Sequence, residues 1–266
     1  MRLELAPFTV LMGENSSGKT SIIQAINLAL LCFNTYELIS TDASNMVRIR
    51  PKGVGLTTLP GIELSDFREL YFAKVSRSSR GKKTVGANII IKDERSNVYR
   101  LQVTSLFGSF NVKCNSTSDD LKLSPELHEK PPLYISGFVG LNPVEERIFP
   151  VALIDRLRSG HVSTIIRNLV YDTKKHTPDS YDKLRKRLAS DFDFHIDTVL
   201  FDEQKDLYVQ AQYNEVCQDQ NLSLDFNASG SGFMQILQIL APIYRFCPGD
   251  SNIVLLDEPD AHLHPN

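Results

Sequence analysis

Residues 8–33 read FTVLMGENSSGKTSIIQAINLALLCF, and the eight positions from Gly13 to Thr20 decide how the rest is read. GENSSGKT fits the pattern Gly-x-x-x-x-Gly-Lys-Ser/Thr at every specified position. Such a pattern carries weight only between a strand and a helix. The apolar run from Phe8 to Met12 suits a buried parallel strand. After the loop, Ile22, Ile26, Leu30 and Phe33 recur at helical spacing, with Ala25 and Ala29 beside them. In that setting Gly13 and Gly18 let the backbone turn tightly, and successive N–H groups converge on one concavity. The positive end of the following helix adds to the field, so the stretch is an expected phosphate cradle. Gly13, Glu14, Asn15, Ser16, Ser17, Gly18, Lys19, Thr20 and Ser21 are its candidate binding residues. Lys19 is expected to reach the β- and γ-phosphates and the Thr20 hydroxyl to ligate Mg²⁺.

At the other end of the chain, Ile253 to Leu256 are consecutive apolar residues after the turn signal Pro248-Gly249-Asp250. They predict a second buried strand, which ends in Asp257-Glu258. Ligands of open α/β sheets bind at the carboxyl edge, where those carboxylates fall. Asp257 is the candidate metal residue beside Thr20, and Glu258 the candidate general base that polarises an attacking water. His262 and His264 follow closely and raise the alternative of a transition-metal site. A Mg²⁺–phosphate centre takes oxygen ligands and water, which favours a structural or interface role for the imidazoles.

Between these stretches lies a second glycine loop, Asn227-Ala-Ser229-Gly230-Ser231-Gly232, with Phe233, Ile236, Leu237 and Leu240 at helical spacing after it. A serine-glycine loop opening a helix is a second candidate anion site, so Ser229, Gly230, Ser231 and Gly232 join the binding residues. The plainer reading is a helix capped by Ser229 or Ser231. One chain with one nucleotide has little need of two cradles. An economical use of the second is to serve a nucleotide held by another copy.

Taken in order, GENSSGKT, SGSGFMQ and LLDEPDAHLHP resemble the ABC-type ATPase heads of the SMC, RecF and OLD (overcoming-lysogenisation-defect) group, most nearly the bacterial AAA-family proteins termed OLD-like. Arg167-Asn168-Leu169 and the stretch Tyr134 to Gly140 share that character more weakly. The resemblance implies an α/β fold: a P-loop NTPase core of ABC-ATPase type with an antiparallel β layer and a helical lobe. It implies ATP and Mg²⁺ as cofactors, ATP hydrolysis, and a homodimer that sandwiches ATP between the Lys19 loop of one chain and the Ser231–Gly232 loop of the other. DNA or a partner effector protein would be the further partner, in phage or plasmid defence or in repair. The signature loop reads ASGSG rather than LSGGQ or LSGGE, which leaves open the serine that faces phosphate. No glutamine loop stands out, and Asn142 to Glu146 occupy its stretch. The family's switch histidine would fall on a strand beyond Asn266, so the head is expected to be a fragment or a truncated product.

The resemblance divides residues 1–266 into a strand–helix unit (1–39), a loop and antiparallel β insertion (40–135), a helical lobe with a hairpin (136–226) and the signature loop with the acidic strand (227–266). The local patterns agree in outline. Residues 40–66 are rich in Ser, Thr, Gly and Pro and read as a long loop or a partly ordered insertion. FRELYFAKV, ANIIIK, VYRLQVTS and FGSFNVKC read as strands, and HIDTVLFD with DLYVQAQYN as a hairpin. Leu153, Leu157, Leu184 and Leu188 mark apolar helix faces within 144–190.

Composition narrows the function. No apolar run reaches the ~18–20 residues that cross a bilayer, which points away from membranes. The cysteines at 32, 114, 217 and 247 form no C-x-x-C pair, as expected of reduced thiols in a cytoplasmic protein. A net charge of −3 supplies no global attraction to nucleic acid. DNA binding would need a local patch, either Arg77, Arg80, Lys82 and Lys83 or the KLRKR run at 183–187. Two rivals use the same motifs. A transporter subunit would show LSGGQ, and SALD in place of HLHP. A regulatory protein that assembles with an effector on ATP, hydrolysing little, is the alternative compatible with the same motifs.

Overall fold

The computed structural model describes residues 3–41, 46–51, 61–62, 67–71, 86–92, 98–106, 109–116, 130–137, 140–217, 220–247 and 249–263. Helices and both parallel and antiparallel sheets are mixed in it, as in a general α/β fold. The first helix, α1 (Lys19–Thr35), starts inside the glycine loop. Its first turns are half-buried, but Asn27 to Leu31 are buried all round, so the helix passes into the interior rather than lying on it. The chain then enters β1 (Tyr36–Thr41) and β2 (Met46–Pro51); β2 and the end of β1 fall in the stretch 40–66 whose Ser, Thr, Gly and Pro content predicts a long loop or partly ordered insertion. Strands β3 (Ala87–Lys92), β4 (Val98–Leu106) and β5 (Ser109–Ser116) complete an antiparallel sheet of order β1-β2-β5-β4-β3. Within FRELYFAKV, Phe67–Leu70 form a 3₁₀ turn instead of the expected strand.

The part that positions the site is a parallel pair, β6 (Leu133–Ile135) with β10 (Val254–Leu256), in the register Val254↔Leu133 to Leu256↔Ile135. Between them in sequence come α2 (Pro150–Arg158), α3 (Ile166–His176) and α4 (Pro178–Phe192). A second antiparallel sheet follows, β7 (His195–Leu200), β8 (Gln210–Cys217) and β9 (Gln220–Asp225). The last helix is α5 (Ser231–Phe246). Leu153, Leu157, Leu184 and Leu188 are all buried, as their spacing predicts, and pack with Ile135, Leu169, Phe194, Phe226 and Leu237 in one apolar core. Each such side chain contributes about 1.5–3 kcal/mol on leaving water. α4 stops at Asp193, whose left-handed φ of 52° ends the helix while the Phe194 N–H turns back to the Leu188 carbonyl.

Two expectations are corrected. Phe8–Met12 forms no strand: Phe8, Val10 and Met12 are 85%, 62% and 89% exposed. A strand needs a ladder partner, and among the described residues this run has none. The buried face of α5 is also rotated from the predicted one. Met234, Gln235, Leu237, Gln238 and Ala241 face inward, whereas Phe233 is 39% exposed. The two glutamines hid that face from a pattern based on apolar residues.

Candidate active site

The glycine loop is shaped by two left-handed residues, Ser16 (φ 63°) and Gly18 (φ 92°). Gly18 takes that conformation without steric cost, whereas a Cβ at Gly13 would come within 2.9 Å only of Ser17 Oγ, the end of an exposed side chain that can turn away. The Ser17 N–H closes the turn onto the Glu14 carbonyl at 3.2 Å, and the Ile22 N–H bonds the Gly18 carbonyl as α1 begins. Lys19 curls over the loop and donates from Nζ to the carbonyls of Gly13 (2.8 Å) and Glu14 (2.7 Å). An incoming phosphate would compete for the same ammonium. Ser21 is exposed one position further into the helix.

Asp257 leaves the carboxyl end of β10, and its N–H continues the ladder onto the Ile135 carbonyl at 2.9 Å. Its side chain is buried to 9% exposure and accepts from Thr20 Oγ1 at 3.0 Å. The glycine loop and the acidic strand end are thereby brought together. Both atoms are oxygen donors, which suits Mg²⁺ held by one or two protein groups with water and phosphate oxygens completing the shell. Glu258 follows, exposed and left-handed at φ 49° directly before Pro259. Both circumstances are unfavourable for an ordinary residue. Beneath the pair lies Tyr134 of β6, whose hydroxyl is pushed up to about 12, mainly by burial and then by the Asp257 carboxylate, against a hydrogen bond with Gln24.

The second glycine loop is built differently from the first. Asp225 caps the 3₁₀ turn Phe226–Ala228 through the Asn227 N–H, and Ser229 Oγ donates to the Phe226 carbonyl at 2.8 Å. Gly230 is the N-cap of α5, with no side-chain hydrogen bond, so neither Ser229 nor Ser231 caps the helix as the plainer reading predicts. Ser231 is left exposed at the helix start. α5 runs antiparallel to β10: near its start Gln235 reaches Glu258, and at its end the Phe246 carbonyl accepts from Asp250 and Ser251. Gly232 therefore lies against the segment that follows Glu258, where a Cβ would meet the His262 carbonyl at 3.4 Å.

Asn142 to Glu146, in the stretch where a glutamine loop would fall, are tied down by a polar network. Glu145 is buried and accepts from the N–H groups of Arg167 and Asn168 and from Asn168 Nδ2. Burial holds its carboxyl above the usual range, against those hydrogen bonds. Arg167, 1% exposed, donates to the Asn142 carbonyl and pairs with Asp225 at 2.7 Å. Arg167-Asn168-Leu169 thus joins this segment to the second glycine loop, a connection that spacing alone could not reveal.

His262 is exposed in the turn after Glu258, and His264 lies outside the described residues. Among the described residues no three His, Cys, Asp or Glu side chains gather as a metal cluster. The cluster Arg77, Arg80, Lys82 and Lys83 also lies outside them, while Lys183, Arg185, Lys186 and Arg187 occupy the exposed face of α4. Among the described residues no helix is long and apolar enough to cross a membrane. Set against protein-family models, curated proteins and solved structures, the chain matches none.

Proposed function

We propose that the chain is an ATP-binding and ATP-hydrolysing head with a P-loop core of the ABC type, which closes head to tail with a second copy around ATP and drives a DNA-directed process. The observation that carries this reading is the hydrogen bond from Thr20 Oγ1 to Asp257 Oδ1, which joins the glycine loop to the acidic strand end. Bound at this site, Mg²⁺ would neutralise charge on the β- and γ-phosphates. Thr20 and Asp257 would hold it, the loop N–H groups and Lys19 would bind the phosphates, and Glu258 would take the proton of the attacking water. The exposed Ser231 at the start of α5 would meet the γ-phosphate held by the other chain.

Phosphate release from Mg²⁺-ATP tests the reading. The wild-type chain should turn over, DNA should alter the rate, and Glu258→Gln should slow hydrolysis by ~10²-fold or more, the usual contribution of a general base. A rate unaffected by Glu258→Gln would refute the assigned chemistry.

A further inference from the structure

We propose that Gln235 is a positioning residue for Glu258: from the helix opened by the second glycine loop, its side-chain amide holds the backbone that aims the carboxylate. The inference rests on Glu258 being the general base.

Gln235 and Gln238 are both 0% exposed, in a helix that is otherwise apolar on its inner face. Gln235 Nε2 lies 3.4 Å from the Glu258 carbonyl and 3.2 Å from the Pro259 carbonyl. One turn along, Gln238 Nε2 donates to the Ser136 carbonyl at 2.6 Å. The two amides thus grip the segments leaving β10 and β6. Neither Oε1 has a hydrogen-bond partner among the described residues, although both are buried. Leaving a polar group buried and unsatisfied is costly, and an apolar side chain of similar length would fill the space without that cost. What these glutamines supply is donation to the strand ends.

Glu258 is where that donation matters. A non-glycine residue at φ 49° before a proline persists only when its surroundings over-determine it. Here the Glu258 carbonyl accepts from the Ala261 N–H at 3.3 Å and from Gln235. Removing the amide loosens one of these two restraints and lets the turn relax, which displaces the carboxylate from the water it must polarise.

The experiment is a double-mutant cycle on the full chain, reading kcat for ATP, ATP affinity and thermal unfolding. Gln235→Met keeps the length and removes the donor. Its kcat should fall on the order of 10²-fold, the effect of a small misplacement of a reacting group, with ATP affinity unchanged. Combined with Glu258→Gln it should cause no further loss, since the group it positions is already gone. Gln235→Asn, which keeps the amide but cannot span the distance, is expected to behave the same way and serves if the methionine variant does not fold. An equal loss from Gln235→Met with Glu258 present and with Gln in its place would overturn the inference, as would an unchanged kcat. A wild-type chain without ATP turnover, or one indifferent to Glu258→Gln, removes the functional reading and this inference with it.

Discussion

Thr20 and Asp257 stand 237 positions apart in the chain, yet their side chains meet, Oγ1 donating to Oδ1 at 3.0 Å. Asp257→Asn retains an oxygen that can accept this hydrogen bond and removes only the charge. The fold should therefore persist while Mg²⁺ ceases to strengthen ATP binding. Titration of ATP with and without Mg²⁺ checks this. A variant that keeps the full Mg²⁺ effect would separate Asp257 from the metal.

Among the described residues Lys19 bonds only to carbonyls of its own exposed loop, so the core does not depend on it. Lys19→Ala should weaken ATP binding about 10- to 100-fold, the worth of one charged hydrogen bond or a little more. The unfolding midpoint should stay where it is. Calorimetry showing undiminished affinity in the folded variant would contradict the assignment of the loop.

Tyr134 provides a pH test. Its folded-state proton is held more tightly than in the unfolded chain, up to about 12 against the ordinary 10.0. The stability it contributes is fully present below pH 10.0 and is lost as pH rises toward about 12. Tyr134→Phe should flatten the fall in stability across that window, as read by denaturant unfolding at several pH values. An identical alkaline slope in the variant would assign the loss to other groups.

The ion pair of Arg167 and Asp225 is asymmetric, because the arginine is 2% exposed and the aspartate 49%. Asp225→Ala takes from a buried cation the carboxylate it hydrogen-bonds, leaving it the buried Glu145 as an acidic neighbour, and removes the cap on Asn227. It should cost about 3 kcal/mol, more than Arg167→Met, which leaves Asp225 to water and Glu145 with its two backbone N–H donors. Chemical denaturation of the two variants tests the order. Equal or reversed losses would show that the pair is not what holds the second glycine loop.

The sequence made the ends of this arrangement legible and left the middle obscure. The helix opened after the glycine loop was legible from its apolar period, but the strand expected before the loop does not form. The apolar residues before Asp257-Glu258 do pair in parallel as β10, yet Val254 is 36% exposed and Leu255 and Leu256 are half-buried, so the burial expected of a continuously apolar strand is not met. Leu153, Leu157, Leu184 and Leu188 were legible through their helical period, and each is buried. Phe8–Met12 fits the same apolar pattern as β10 but forms no ladder, since pattern states what a strand would bury and not what it would pair with. Gln235 and Gln238 are silent for the opposite reason. Two polar residues three apart in Phe-Met-Gln-Ile-Leu-Gln-Ile-Leu read as an outer face until their carbonyl partners, on the segments that leave β6 and β10, come into view. The network around Glu145 likewise depends on residues about twenty and eighty positions away, beyond any local period.

The central claim is that ATP joins two chains, each completing the other's site through the loop of Ser231 and Gly232. Light scattering of Glu258→Gln with ATP, with ADP and without nucleotide tests it most directly, since that variant is expected to bind ATP and to hydrolyse it slowly. The account predicts a dimer with ATP alone, lost on adding Ser231→Arg, whose bulk would block the helix start. The same oligomeric state under all three conditions would contradict it.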